Sequence, residues 1–379
     1  IEEQIRIAKQ HLPNAYSREL PRLAKGPSQS LPRVYDLALE AISHGDGRVD
    51  SESLLRFVAS YQTVTPLTLG ELWAFPIMLR LALIENLRRV GSRITDARIH
   101  VNQAQQWADL MMEMADSDPK NLILVIADMA RSNPPMASPF VAELARRLQG
   151  HGQALALPLN WIEQRLAESS LTIERMVLSE TQQQAADQVS ISNTIGSLRF
   201  LGAMDWTVFV ETLSHVEQVL LSDIDNIYGK MDFFTRDRYR HVIDKLAKQS
   251  ELSETDIAHE AIQLAHWNAA KHDGNDFSSH VGFYLVDKGL PELERAVHAK
   301  LQLTEIVRRW LGQSPLSIYL GSIFVITGIL TGCLLLLAYT NDVDGWPLVA
   351  LGCLIALATS QLGSALTNRF ATMLVKPQP

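Results

Sequence analysis

The chain has 379 residues, 42 acidic against 34 basic, for a net charge of −8 with histidine neutral. Apolar residues make up 47 % and charged residues 20 %, which excludes a disordered chain. The acidic balance argues against a dedicated nucleic-acid binder, whose surface is normally basic. Cys333 and Cys353 are the two cysteines, and both lie in apolar stretches, so a disulfide scaffold and a cysteine-based zinc site are excluded. The chain starts at Ile1 with no signal peptide ahead of the first helix-like stretch, and reads most simply as a piece of a longer polypeptide.

Residues 1 to about 313 read as helix after helix. Starts are expected where a capping residue precedes proline, at Thr65-Pro66, Asp118-Pro119 and Ser138-Pro139, and at the Ser253/Asp256 capping box. Gly91, Gly150, Gly289 and Gly312 read as stops. Between them apolar residues recur at spacings of three and four, as in Leu213, Val216, Val219 and Leu220. No segment alternates with period two, so the region is all-α. It divides loosely into 1–168, shorter helices with Pro-rich breaks such as Asn133-Pro134-Pro135, and 169–313. The second part opens with a long polar helix from about Thr172 to Leu201 that carries TQQQAADQ on a solvated face.

Residues 314–379 read differently. Leu316 to Tyr339 is a 24-residue run without a charge, and Leu348 to Leu366 is a second, more polar one. A helix of the first length spans roughly 36 Å, against about 30 Å for a hydrocarbon core. The expected structure is a two-helix transmembrane hairpin, with a lipid bilayer as partner. Arg308, Arg309, Arg369 and Lys376 flank its outer ends and Asp342 and Asp344 sit in its turn, so both termini and the helical region are expected in the cytoplasm. Gly328 and Gly332 form a GxxxG pattern that lets another helix approach closely.

Catalytic patterns mostly fail. His259-Glu260 begins like HExxH, but Gln263 stands at the second histidine position and His266 is seven residues on. Gly150-His-Gly152 lacks the third glycine of a dinucleotide loop. Asp223-Ile-Asp225 lies in a helical region and reads better as a helix end than as a nucleotide-sugar metal motif. Arg309-Trp310 echoes the end of QxxRW, with Ile306 where glutamine is required. No catalytic, cofactor-binding or metal residue is assigned.

The most unusual stretch is Lys230 to Lys248, KMDFFTRDRYRHVIDKLAK, with six basic and three acidic residues. On a helix starting near Thr235, Arg236 and Arg240 share a face while Arg238 points elsewhere. Arg236, Arg238, Tyr239 and Arg240 are the candidate interface residues, since arginine forks suit carboxylates and tyrosine adds apolar area with a polar end.

Four segments then carry a resemblance: TPLTLGELWAFPIMLRLALIENLRR from Thr65, SISNTIGSLRFLGAMDWTVFVETLSHVEQVL from Ser190, MDFFTRDRYRH from Met231 and HVGFYLVDKGLPELERA from His280. In this order, ending in the paired spans, they resemble the cyclic β-1,2-glucan synthases, very large inner-membrane enzymes. The resemblance implies that a glycosyltransferase domain using UDP-glucose and a divalent metal follows the spans, and that this piece is the helical N-terminal region and first hairpin. It implies a non-catalytic scaffold and anchor whose partners are the other domains of the same polypeptide. The alternative is a free-standing, membrane-tethered helical adaptor.

Overall fold

A computed structural model describes residues 19–26, 28–223, 226–271, 279–300, 315–340 and 345–374. Among these the regular structure is helical: fifteen α-helices and three short 3₁₀ turns, with no strand beyond the isolated bridge Arg22–Pro32. The chain separates into two compact units, Ile1–Val297 and His298–Pro379.

The first unit begins with α1 (Arg33–His44), α2 (Ser51–Gln62) and α3 (Leu69–Ser117), the last 49 residues long. Here the sequence expectation of short helices is corrected, because neither Thr65-Pro66 nor Gly91 acts as punctuation. The helix starts three residues later, where Thr68 and Glu71 form a reciprocal capping box. Gly91 lies inside it with open space where a Cβ would be, and one exposed helical glycine costs only about 1 kcal/mol. After Asp118, whose side chain caps a 3₁₀ turn, come α4 (Leu122–Ser132), α5 (Ser138–Leu148) and α6 (Ala156–Ala167). Ser138 is the first residue of α5 rather than its cap, which is Ala137. The long polar helix is α7 (Ile173–Ala203), close to the expected range.

Two apolar cores lie along α3 and α7. One gathers α1, α2, the first third of α3, the end of α7 and the following α8 (Trp206–Leu213), with Phe75 stacked on Phe209 at 5.9 Å. The other gathers Ala104, Ala108 and Met111 of α3 with α4, α5, α6 and the start of α7. Between them the two long helices meet through polar groups. Arg93 pairs with buried Asp187 at 2.6 Å, and the Asn86 amide donates to the hydroxyls of Ser190 and Thr194. TQQQAADQ is solvated apart from that aspartate. The loop before α2 is fixed on α7, where Ser197 donates to the Gly47 carbonyl and accepts from the Val49 amide. Gly47 has φ +79°, and a Cβ there would strike the Thr194 hydroxyl.

The rest of the unit comprises α9 (His215–Leu220), α10 (Phe233–Gln249), α11 (Glu254–Lys271), α12 (Val281–Val286) and α13 (Leu290–Ala296), with Ser253 and Asp256 forming the expected capping box. Two buried carboxylates hold the start of α3, Glu71 bonding back to α1 and Glu254 tying in this group. Glu71 takes a two-pronged bond from Arg33, at 2.9 and 2.6 Å. Glu254 accepts from the Leu69 amide at 2.8 Å. Burial raises the Glu254 pKa to about 7, against the Leu69 bond, which lowers it, and with the charges of Asp244 and Glu71 adding to the rise.

The second unit is a helical pair, α14 (Pro315–Tyr339) and α15 (Trp346–Leu374). Its apolar stretches, Tyr319–Ala338 and Trp346–Arg369, are left almost wholly uncovered by protein. A core helix of that composition would be covered by protein, whereas here Phe324, Ile329, Leu336, Leu354 and Leu357 all face outward. Arg308, Arg309, Gly312, Asp342, Asp344 and Lys376, on which the stop and the orientation rest, lie outside the described residues.

A carboxyl with a raised folded pKa favours folding below its unfolded value and loses that contribution as pH rises through the folded one. Glu254→Gln keeps an acceptor for Leu69 without a charge. Its chemical-denaturation stability in detergent should match the parent near pH 4 and exceed it near pH 8, by on the order of 2–3 kcal/mol. A constant difference across that range would refute the assignment.

Candidate functional site

Glu217 is almost fully buried in α9, and its amide is capped by Ser214, a Ser-x-x-Glu spacing. Its carboxylate accepts from three side chains: Arg236 Nη1 at 2.8 Å, Arg240 Nη1 at 2.7 Å and the Tyr228 hydroxyl at 2.7 Å. Glu211 at the end of α8 takes second bonds from the same two arginines, at 3.2 Å each. Two guanidinium groups and two carboxylates thus neutralise one another, with Asp237 3.3 Å from Arg240 Nη2. Residues 236 and 240 fall one helical turn apart, so α10 delivers both forks to one side.

Arg240 is 1 % exposed. Burial works against its charge, but the hydrogen bond and charge of Glu217 outweigh that, and its pKa is raised. Tyr228 is held far above the ordinary phenol range by burial, with the Glu217 bond acting in the same direction. The Arg240 guanidinium also stacks over Phe233 at 5.0 Å, and Phe233 meets Trp73 of α3 edge-on at 6.1 Å.

A second polar pair adjoins this cluster. Buried Asp223 accepts from the Val281 amide at 3.3 Å and lies 3.4 Å from His280 Nε2. His280 Nδ1 accepts from the Gly282 amide at 2.8 Å, which places the ring proton on Nε2, facing Asp223. The Tyr239 ring packs edge-on to His280 at 6.4 Å, and burial followed by the Asp223 charge raises its pKa. A Cβ on Gly282 would collide with the Tyr239 hydroxyl. Asp223 therefore acts at a helix start, while Asp225 lies outside the described residues. His259 and His266 are both exposed on α11. Among the described residues, no group of His, Cys, Asp and Glu is placed to hold a metal ion.

The four candidate interface residues separate. Arg236, Tyr239 and Arg240 point into the unit, and Arg238 faces outward. Sequence reasoning missed their partners Glu211, Glu217, Tyr228 and His280, and took Asp223 as a helix end without its partner Val281. Of the four missed, only Glu217 carried a readable signal, its Ser-x-x-Glu spacing.

In the helical pair, α14 presents Ile323, Thr327 and Leu335 to Gly352 and Gly363 of α15, while Thr331 and Thr359 share a hydrogen bond at 2.9 Å. The Tyr319 hydroxyl donates to Asn368 at 2.7 Å. Gly328 and Gly332 face open space, so the GxxxG pattern does not form this contact.

The whole chain is similar to a curated protein, cyclic beta-(1,2)-glucan synthase NdvB of Rhizobium meliloti (strain 1021), at 28 % identity over 382 residues. The match takes in 100 % of this chain and spans 13 % of the relative's length, and it bears out the resemblance read from the sequence. No protein-family model matches the sequence.

Removing Arg240 would leave buried Glu217 with only Arg236 and Tyr228 and would leave a void beside Phe233, so Arg240→Ala should cost about 3 kcal/mol of unfolding free energy, the low end for breaking a buried ion pair. Exposed Arg238→Ala should cost under about 0.5 kcal/mol. Urea titration of both variants in detergent checks the contrast, and equal losses would refute the inward assignment.

Proposed function

We propose that this chain is the non-catalytic N-terminal scaffold and membrane anchor of a cyclic β-1,2-glucan synthase. Its helical unit would stand on the cytoplasmic face of the inner membrane, and its two apolar helices would cross the bilayer as the first hairpin. Polymerisation from UDP-glucose, with its divalent metal, would belong to a transferase domain elsewhere in the polypeptide.

One observation carries this reading. The four stretches that resemble the synthases supply Trp73, then Glu211 and Glu217, then Phe233, Arg236, Tyr239 and Arg240, then His280 and Gly282, and these residues meet in one buried cluster. Their charges are spent on each other, which makes a brace and not a site open to a nucleotide sugar. The similarity over all of this chain supports the placement within the synthase.

Given UDP-glucose and magnesium or manganese, the purified chain should release UDP no faster than a protein-free blank, whereas deleting the equivalent region should abolish glucan synthesis by a full-length synthase. Protein-dependent UDP release that a substitution in this chain removes would overturn the scaffold role. For the orientation, a cysteine replacing Asp342 should react with an impermeant maleimide from the periplasm. Reaction only after the inner membrane is opened would reverse the topology.

A further inference from the structure

With Arg236, Tyr239, Arg240, Ile243 and Leu246 turned inward, α10 carries a second, opposite stripe. At 100° per residue Phe234, Arg238, His241 and Lys245 fall within an arc of about 60°. All four are exposed, Phe234 to 84 %. Exposed Lys230 ends the 3₁₀ turn just ahead of the helix. The acidic residues of the segment are engaged locally. Asp232 caps α10 through Thr235, Asp237 pairs with Arg240 and His241, and Asp244 pairs with Lys248. A chain of net charge −8 presents here an exposed aromatic ring on the same face as the basic side chains of Arg238 and Lys245.

We propose that this stripe, Phe234 with Arg238, His241 and Lys245, together with Lys230, seats on the headgroups of an anionic lipid leaflet. The inference rests on the membrane anchorage proposed above. Charge complementarity names the occupant. Cations gain at an anionic surface, each Lys or Arg adding about fivefold to the preference, and an aromatic ring suits the headgroup boundary. The covalent anchor makes such weak contacts sufficient. A unit tethered beside the bilayer meets the lipid at an effective concentration in the millimolar range, so a few cations and one ring bias its orientation.

The test uses the full chain with Cys333→Ser and Cys353→Ser, reconstituted in nanodiscs of phosphatidylcholine alone or with roughly 30 % phosphatidylglycerol. A fluorophore is placed on His241→Cys or, as a reference, on the exposed position Gln182→Cys, and quenched by headgroup-nitroxide lipids. Failure of the chain to remain with the discs would remove the anchorage itself. Given insertion, the label at position 241 should be quenched at least about threefold more in the anionic discs. Arg238→Glu and Phe234→Ser should each abolish that difference, as should high salt in the case of charge. The label at position 182 should be indifferent to lipid charge. Equal quenching in both lipids, or at both positions, overturns the proposal and leaves the stripe to a protein partner.

Discussion

The helical unit depends on a carboxylate that cannot be left alone. Glu217 lies where water cannot reach it, and an unpaired charge there would be strongly destabilising. It is tolerated because α10 brings two arginines at i and i+4 and the preceding turn brings Tyr228. Because Glu217 is on α9, Glu211 on α8 and the arginines on α10, satisfying this one group fixes three helices. Phe233, under Arg240, extends the constraint to Trp73 on α3. Such a cluster adds little net stability over an apolar core of the same volume. It penalises any arrangement of these helices that fails to bring all four charges together.

The same logic explains what the sequence made legible. Helix content, the long polar helix, the Ser253/Asp256 box and the two apolar spans follow from local patterns of spacing and capping, and all are found. Gly91 and Thr65-Pro66 were misleading because their signals are also local. A stronger capping box at Thr68 and Glu71, and packing of both ends of α3 into separate cores, override them. The interface residues show the limit most clearly. Arg236 and Arg240 share a face in any helix, but nothing local says whether that face meets solvent or two glutamates some 20 to 30 residues earlier. The family resemblance carried what spacing alone did not, since the segments it picked out converge on the cluster.

In the helical pair, close approach comes from a different set of small residues than the GxxxG motif. Gly363 sits against Thr327 and Gly352 against Leu335, while Gly328 and Gly332 look outward. A motif states that a helix permits close contact, and its register on the helix decides with which neighbour. Polar side chains within the pair, Thr331 with Thr359 and Tyr319 with Asn368, bond to each other across it.

The long helix α3 has a mechanical consequence. Its 49 residues extend about 74 Å at 1.5 Å per residue, and its two ends are embedded in different apolar cores. Between them, contact with α7 runs through polar groups such as Arg93 and Asp187 in place of a shared apolar interior. The two lobes are coupled chiefly by the stiffness of helical backbone, as two weights on a common shaft. Bending or twisting at one lobe is therefore carried to the other along the shaft. Unfolding need not be, and the lobe built on Ala104 to Met176 is free to melt while the one holding the start of α3 stays intact.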